Sequence, residues 1–231
     1  MKQLRRLLLW AALLPIALVL LLQLYFLAQI LWWKHFNPQS TSFMKRQLAM
    51  LREKDPKATL KHQWVPYDSI SIHLKRAIIA AEDANFSSHD GIDWTALQKA
   101  FEKNQRKGRV VAGGSTITQQ LAKNLFLSGE RSYVRKAQEV VITYMLEYTM
   151  SKERIFEIYL NVAEWGVGVF GAEAAARHYY GVSAARLSRY QAARLAVMLP
   201  QPRFYDRNRN SAYLARRTDL ILRRMQAAEL P

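Results

Sequence analysis

The chain has 231 residues, half of them hydrophobic and none of them cysteine, and it carries 34 Lys and Arg against 18 Asp and Glu. These counts exclude a disulfide-stapled miniprotein, a cysteine metal site, a thiol enzyme and a disordered chain of low hydrophobicity. The formal net charge of +16 indicates an anionic surface or substrate as partner.

The first predicted element is a membrane anchor over residues 7–33, a run of 27 residues without a charged side chain or a histidine. A helix of this length covers about 40 Å, more than the roughly 30 Å hydrocarbon core of a bilayer. Lys2, Arg5 and Arg6 precede the run, and Trp32 and Trp33 end it, where aromatic rings prefer the headgroup layer. Residues 1–6 are then a short cytoplasmic N-terminus.

A cleaved signal peptide and a buried hairpin are the alternatives for this segment. The run is long for a signal peptide, and no small-x-small cleavage site follows it. Positive charges at Lys45, Arg46, Arg52 and Lys54 weaken the orientation signal, so the positive-inside rule favours a cytoplasmic N-terminus only slightly. The remaining charge of +13 then belongs to a domain outside the cytoplasm.

Beyond the anchor, residues 34–60 form a predicted juxtamembrane connector with one amphipathic helix around Met44, Leu48 and Leu51. Residues 61–231 show apolar spacings of three and four without sustained alternation, which predicts an all-α domain. Its candidate helices span 71–83, 94–104, 116–127, 134–150, 152–161, 170–180, 188–199 and 211–228. For the β-prone stretch 109–111, a mobile loop and a small hairpin are equally good interpretations.

The helix over 71–83 has an apolar stripe and ends at two acids, Glu82 and Asp83. A carboxylate at the mouth of an apolar helix is partly desolvated, which raises its pKa and makes it a stronger base. A solvated helix end is the alternative. His89 and Gly91 follow closely, and this concentration of polar residues favours a functional site. Taken alone, His89 is more typical of a structural histidine.

A second polar segment covers residues 113–124, where two glycines precede a capping box formed by Thr116 and Gln119. The N-terminus of the helix that starts here attracts anions. Thr116, Gln120, Lys123 and Asn124 share one face of it. The Gly-Lys-Ser/Thr ending of a P-loop is absent, so the segment indicates an anion site of another kind.

A cluster of basic residues comes third, with Arg131, Arg135 and Lys136 close to Glu139. An ordinary intrahelical ion pair between Arg135 and Glu139 is one interpretation. The other is that these cations and Lys123 face one phosphate, with Glu139 oriented by them. One base with several cations suits glycosyl transfer from a lipid pyrophosphate better than glycoside hydrolysis, which needs a second carboxyl group for a poor leaving group.

Four motifs occur in order between residues 64 and 224. They are Glu82-Asp-x-x-Phe-x-x-His-x-Gly91, Gly114-Ser-Thr-Ile-Thr-Gln-Gln-Leu-x-Lys-Asn124, Arg135-Lys-x-x-Glu139 and Lys152-x-x-Ile-x-Glu-x-Tyr-Leu-Asn161. In order and spacing they resemble the family 51 glycosyltransferases, which are peptidoglycan polymerases found alone or as the first catalytic domain of bifunctional penicillin-binding proteins. The resemblance implies a lysozyme-like helical domain with a small membrane-apposed jaw.

The resemblance also implies a reaction. Glu82 would be the general base that activates the N-acetylglucosamine (GlcNAc) 4-hydroxyl of lipid II for inverting attack on the growing glycan, releasing undecaprenyl pyrophosphate. Lys123 and Arg131 would hold the pyrophosphate, and Glu139 would be the second essential acid. Further substrate contacts are expected from Arg135, Lys136, Ser115, Thr116, Gln119, Gln120 and Asn124.

No cofactor is expected to be required. The resemblance implies a divalent cation, Mg or Mn, at most as an activator, and the sequence shows no ligand cluster that fixes one. The expected partners are lipid II, the nascent glycan strand, the bilayer and other cell-wall synthesis or division proteins, without nucleic acid. The expected location is the cell inner membrane, with a periplasmic catalytic domain.

The sequence contains one Ser-x-x-Lys, Ser42 to Lys45, which lies beside the anchor without a Lys-Thr-Gly motif after it. It is interpreted as a chance match, and transpeptidase activity is not expected.

Two other functions compete with this prediction. A membrane-tethered nucleic-acid binder would use the arginines between Arg203 and Arg224, but few aromatic residues accompany them, and a contact with anionic headgroups explains them better. A lysozyme-type hydrolase would degrade finished peptidoglycan instead of polymerising lipid II.

Overall fold

The structure is a computed structural model that describes residues 2–109, 111, 113–127, 129 and 132–231. The chain divides into two compact units, residues 1–37 and residues 38–231.

The first unit is dominated by one long helix, α1 (Lys2–Trp33). Its stretch Leu13–Trp33 is long and apolar enough to cross a membrane by length and composition. These 21 residues give a helix of about 31 Å, close to the thickness of a hydrocarbon core. Large apolar side chains from Leu13 to Leu24 are exposed, and Trp32 stacks on Phe36. The helix fits the predicted single-pass anchor.

The second unit is mainly helical, as predicted. Its helices are α2 (Ser42–Arg52), α3 (Ile72–Glu82), α4 (Trp94–Lys107), α5 (Ile117–Phe126), α6 (Tyr133–Thr149), α7 (Lys152–Val162), α8 (Ala172–Tyr180), α9 (Arg189–Met198), α10 (Pro202–Arg207) and α11 (Ala212–Arg224). Most begin at a side-chain cap: the preceding oxygens of Thr41, Ser71, Asp93, Thr116, Ser132, Ser151 and Ser188 accept a backbone N–H of the first turn.

The predicted helix boundaries agree with these bounds to within a few residues, with one exception. The helix predicted over 211–228 ends at Arg224 and is followed by a 3₁₀ turn, Met225–Ala227. The amphipathic helix predicted in the connector is α2, which packs against α5 as part of the second unit. The domain boundaries at residues 6, 33 and 60 stay predictions.

A small sheet and one short helix were not predicted. Strands β1 (Lys61–His62), β2 (Glu164–Gly166) and β3 (Val169–Phe170) form the order β1-β3-β2, with β1 parallel and β2 antiparallel to β3. Strands of two or three residues are too short to produce an alternating pattern. Residue Phe170, predicted to begin a helix, lies on β3 instead, and α8 begins at Ala172.

The core lies where the central helices meet. Helix α3 packs against α9, α9 against α11, and α5 against both α6 and α7. The fully buried rings of Phe86, Phe156 and Tyr159 form a chain of aromatic contacts between the α3 end and α7. This packing brings the C-terminus of α3 and the N-terminus of α5 together at one place.

Candidate active site

The end of α3 is joined to the start of α5 by Asp83. Its Oδ2 accepts the backbone N–H of Ile117 at 3.0 Å, and the carboxylate also accepts Nε2 of His89 at 3.0 Å. Nδ1 of the same imidazole accepts the backbone N–H of Gly91 at 3.1 Å, so the ring proton lies on Nε2. Asp83 and His89 therefore hold the two helix ends together.

Gly91 completes this junction and needs its glycine. Its φ of +89° is in the region that other residues rarely adopt, and a Cβ there would lie 2.7 Å from Cγ2 of Thr143. Its carbonyl accepts the hydroxyl of Thr116 at 2.6 Å. Thr116 and Gln119 also form the predicted capping box of α5. The side chains of Thr116 and Gln119 are buried and serve the junction.

Glu82, the last residue of α3, lies where two cavities meet. The larger is a cleft of about 690 Å³ and the smaller has about 240 Å³. Ala81, Glu82, Gly113 and Ser115 line both of them. Glu82 can therefore be approached from two sides.

The carboxyl of Glu82 is desolvated and lies beside positive charge. Burial raises the pKa of its carboxyl, against the opposing effects of a hydrogen bond from Gln120 and of the charges on Lys123 and Arg217. Nε2 of Gln120 donates to Oε2 of Glu82 at 2.8 Å. The carboxylate is half-buried but reachable from the cavities, so it combines desolvation with access.

Lys123, one turn after Gln120 on α5, provides a positive charge in the larger cleft. Burial lowers the pKa of its ammonium, Arg135 and Lys136 act in the same direction, and Glu139 acts against them. Within the described residues its side chain has no hydrogen-bond partner. An anion in the cleft would supply the missing contact.

Glu139 is buried on α6 beneath the cations. Its Oε2 accepts Nη1 of Arg135 at 2.8 Å, and its Oε1 accepts Nζ of Lys136. The intrahelical ion pair that the sequence allowed is present, and a second cation joins it. Nε of Arg135 is buried without a partner among the described residues. Glu139 thus fixes two cations near Lys123.

The remaining predicted residues are divided. Ser115, Gln120 and Lys123 line the larger cleft, although the Gln120 amide is bonded to Glu82. Their contacts with substrate stay a prediction. Asn124 is buried within the packing of α5. Arg131 lies outside the described residues, as does Val110 of the stretch 109–111 that the sequence left open as a loop or a hairpin.

The sequence did not single out the contribution of α11. Arg217 lines the larger cleft, together with Tyr205 and Tyr213, and Arg224 lines the smaller cavity. The arginine run from 203 was predicted to be one membrane-facing surface. Arg203 is instead paired with Glu164 of β2, so the run serves several purposes. Apolar positions at helical spacing predict which face of α11 is buried. They do not predict which residues of other helices face the polar side chains at the edge of that face.

The described part of the chain contains no cluster of three or more His, Cys, Asp or Glu that could hold a metal ion. The reaction steps proposed for this enzyme use only its own side chains.

Comparison with known proteins identifies the class. The model of the transglycosylase family matches residues 47–226. A protein of Herminiimonas arsenicoxydans named biosynthetic peptidoglycan transglycosylase is 75% identical over 231 residues, covering both chains in full. Proteins of the same name from Janthinobacterium sp. (strain Marseille) and Bordetella pertussis are 74% identical over 231 residues and 60% identical over 220 residues; the latter match covers 94% of this chain and 91% of the relative.

The chain belongs to the transglycosylase family. It is a peptidoglycan glycosyltransferase, as the motifs predicted, and the mostly helical fold agrees with that class.

Proposed function

We propose that the enzyme elongates glycan chains with Glu82 as general base. A carboxylate oxygen of Glu82 takes the proton of the GlcNAc 4-hydroxyl of lipid II. That hydroxyl oxygen forms a bond to the anomeric carbon at the reducing end of the growing glycan, and the bond from this carbon to the pyrophosphate oxygen breaks with inversion. The observation that carries this proposal is the position of the desolvated Glu82 between two cavities.

The leaving pyrophosphate would lie in the larger cleft. Lys123 and Arg217 line that cleft, and Lys123 has no partner among the described residues. Arg135 and Lys136, held by Glu139, add positive charge beside Lys123. Cations at a developing phosphate charge stabilise the transition state more than the ground state. The acceptor sugar would approach Glu82 from the smaller cavity.

Transfer fits this site better than hydrolysis because, among the described residues, the other carboxyls near Glu82 are held as acceptors. Asp93, in the smaller cavity, accepts hydrogen bonds from Asn85 and Ala96. Asp83 accepts two hydrogen bonds, from Ile117 and His89, and Glu139 is paired with two cations. A glycosidase needs a carboxylic acid to protonate a poor leaving group, whereas pyrophosphate leaves when cations stabilise it. We therefore favour the polymerase over the lysozyme-type hydrolase that the sequence left open.

The test is incubation of the purified full chain with labelled lipid II. We expect uncrosslinked glycan chains longer than a disaccharide to appear on a gel, and no soluble fragments from finished peptidoglycan. Soluble fragments without polymer would contradict the proposal and favour the hydrolase.

We further propose an inner-membrane location with a periplasmic catalytic domain, supported by the apolar stretch Leu13–Trp33 and by lipid-linked substrates. A reporter fused to the C-terminus is expected to be active only outside the cytoplasm. Activity only inside the cytoplasm would contradict this topology and reopen the nucleic-acid alternative.

We also propose that the enzyme requires no metal, with Mg or Mn at most as an activator. We propose further that it has no transpeptidase activity. Polymerisation should persist after chelation, and labelled penicillin should not attach to the chain. Partner proteins of cell-wall synthesis or division stay a prediction.

A further inference from the structure

Three side chains from three helices form a hydrogen-bonded chain that ends at Glu82. Oη of Tyr159, on α7, donates to Oε1 of Gln120 at 3.0 Å. Nε2 of Gln120, on α5, donates to Oε2 of Glu82 at 2.8 Å. Tyr159 is 1% exposed, so it cannot reach the cavities where substrates would bind.

The direction of these bonds follows from what each group can donate. A tyrosine hydroxyl has one proton to donate and can also accept, whereas an amide oxygen only accepts and an amide NH₂ only donates. Among the described residues, the acceptor for the Tyr159 proton is Oε1 of Gln120. Burial raises the pKa of Tyr159 well above its ordinary value, and the charges of Glu82 and Asp83 act in the same direction, so the phenol keeps its proton. If Tyr159 donates to the amide oxygen, the NH₂ of Gln120 must face Glu82. This arrangement favours the ionised carboxylate, which is the stronger acceptor.

We propose that Tyr159 is a positioning residue for catalysis: it fixes the orientation of the Gln120 amide, which holds Oε2 of Glu82 as an acceptor and leaves Oε1 to take the substrate proton. The inference rests on the proposed role of Glu82 as general base. Tyr159 contributes without touching substrate, because its effect passes through Gln120.

The reversed amide would have the opposite effect. Without the hydroxyl of Tyr159, the Gln120 side chain is free to turn its oxygen toward Glu82, and an oxygen facing a carboxyl favours the protonated form. Less of the base would then be ionised at any pH on the acid limb of the activity profile. Restoring ionisation would require a higher pH.

Other groups near Glu82 also affect its protonation. They are the same in the unmodified chain and in a variant that lacks only the hydroxyl of Tyr159. Those that act on its charge or line its two cavities are Asp83 directly after α3, Asp93 before α4, Lys103 on α4, Lys123 on α5, and Tyr205, Tyr213, Arg217 and Arg224 on α10 and α11. Among the described residues, Gln120 is the one that gives Glu82 a side-chain hydrogen bond. Turning the Gln120 amide should therefore change the protonation of Glu82 more than a change at any of the other described groups.

The experiment is the pH profile of kcat/KM for polymerisation of lipid II by the full chain and by Tyr159→Phe. The acid limb of this profile reports the essential base of the free enzyme. We expect it to move upward by about one pH unit in the variant, since a single hydrogen bond is typically worth about a tenfold preference. On the acid side of the shifted limb the rate should fall up to about tenfold, and it should recover at higher pH, with little change in KM.

Tyr179→Phe is the matched control. Its hydroxyl donates to the carbonyl of Trp165 at 2.7 Å, so the same atom is lost from another hydrogen bond at the β2 end. We expect Tyr179→Phe to affect thermal stability at most, with the acid limb unmoved. A uniform loss of rate in Tyr159→Phe with an unmoved acid limb would overturn the inference and leave Tyr159 a purely structural residue.

Gln120→Met provides a second route, because it removes the donor to Glu82 and keeps a side chain of similar length. It should shift the acid limb in the same direction, and adding Tyr159→Phe to it should cause no further shift. An unmoved limb in Gln120→Met, or a full further shift in the double variant, would overturn the inference even if Tyr159→Phe alone proved too unstable to assay. Failure of the unmodified chain to polymerise lipid II would instead contradict the proposed function.

Discussion

Glu82→Gln should reduce polymerisation of lipid II by roughly 100-fold to 10,000-fold, the range that loss of a general base usually causes. The substitution keeps the size of the side chain and a hydrogen-bonding oxygen for Gln120, so substrate binding should change little. Initial rates with labelled lipid II measure the effect. Glu53→Gln is a suitable control, because it makes the same chemical change at an exposed position after α2.

The same variant should be at least as stable as the natural protein at neutral pH. Burial raises the pKa of Glu82 above its ordinary value of 4.5, so the folded state binds the proton more tightly than the unfolded state. Stability therefore falls as pH rises from 4.5 through the raised folded pKa, and this loss is absent in Glu82→Gln. Thermal unfolding should show the variant gaining on the natural protein over that window and keeping its advantage above it. Full polymerase activity of a stably folded Glu82→Gln would overturn the mechanism.

Lys123→Met should reduce polymerisation by about 100-fold to 1000-fold, as for removal of one group that stabilises a developing negative charge. Methionine has a similar length and no charge, so it removes the cation while filling much of the same space. Because the charge on the pyrophosphate grows as its bond to the sugar breaks, kcat should fall more than KM rises. Steady-state kinetics with labelled lipid II separate the two parameters.

Lys99→Met is the matched control for this prediction, since Lys99 is exposed on α4 and its replacement makes the same change in charge. We expect nearly natural activity from it. If Lys123→Met turned over normally, the assignment of the pyrophosphate to the larger cleft would be wrong. Arg131→Ala tests the other cation that the resemblance assigns to the pyrophosphate. We expect it to lower kcat more than it raises KM, as for Lys123→Met.

Local patterns were sufficient to predict the frame of the site. The capping box at Thr116 and Gln119 located the start of α5, and the apolar stripe before Glu82 located the end of α3. Both are properties of residues three or four apart in sequence. They predicted the helix ends, whereas the bond from Ile117 to Asp83 that joins them depends on how the helices pack.

The partners of these side chains were less predictable. Gln120 was expected to contact sugar or phosphate, and the structure uses its amide to hold Glu82. Arg217 was read as part of a charged surface, and it lines the cleft. In both cases the residue type and helix face were visible in the sequence. The opposing side chain was not, because it lies tens of residues away and is brought close only by tertiary packing.

The aromatic contacts beneath the site have a consequence for how the enzyme tolerates change. Phe156 lies against both Phe86 and Tyr159, and Tyr159 is the buried end of the chain that leads to Glu82. Hydrogen bonds of 2.8 Å and 3.0 Å are lost when helices shift by about an ångström. Catalytic turnover should therefore tolerate fewer core substitutions than folding does. A variant with a repacked core can keep its helices and still lose the alignment of the Glu82 carboxylate.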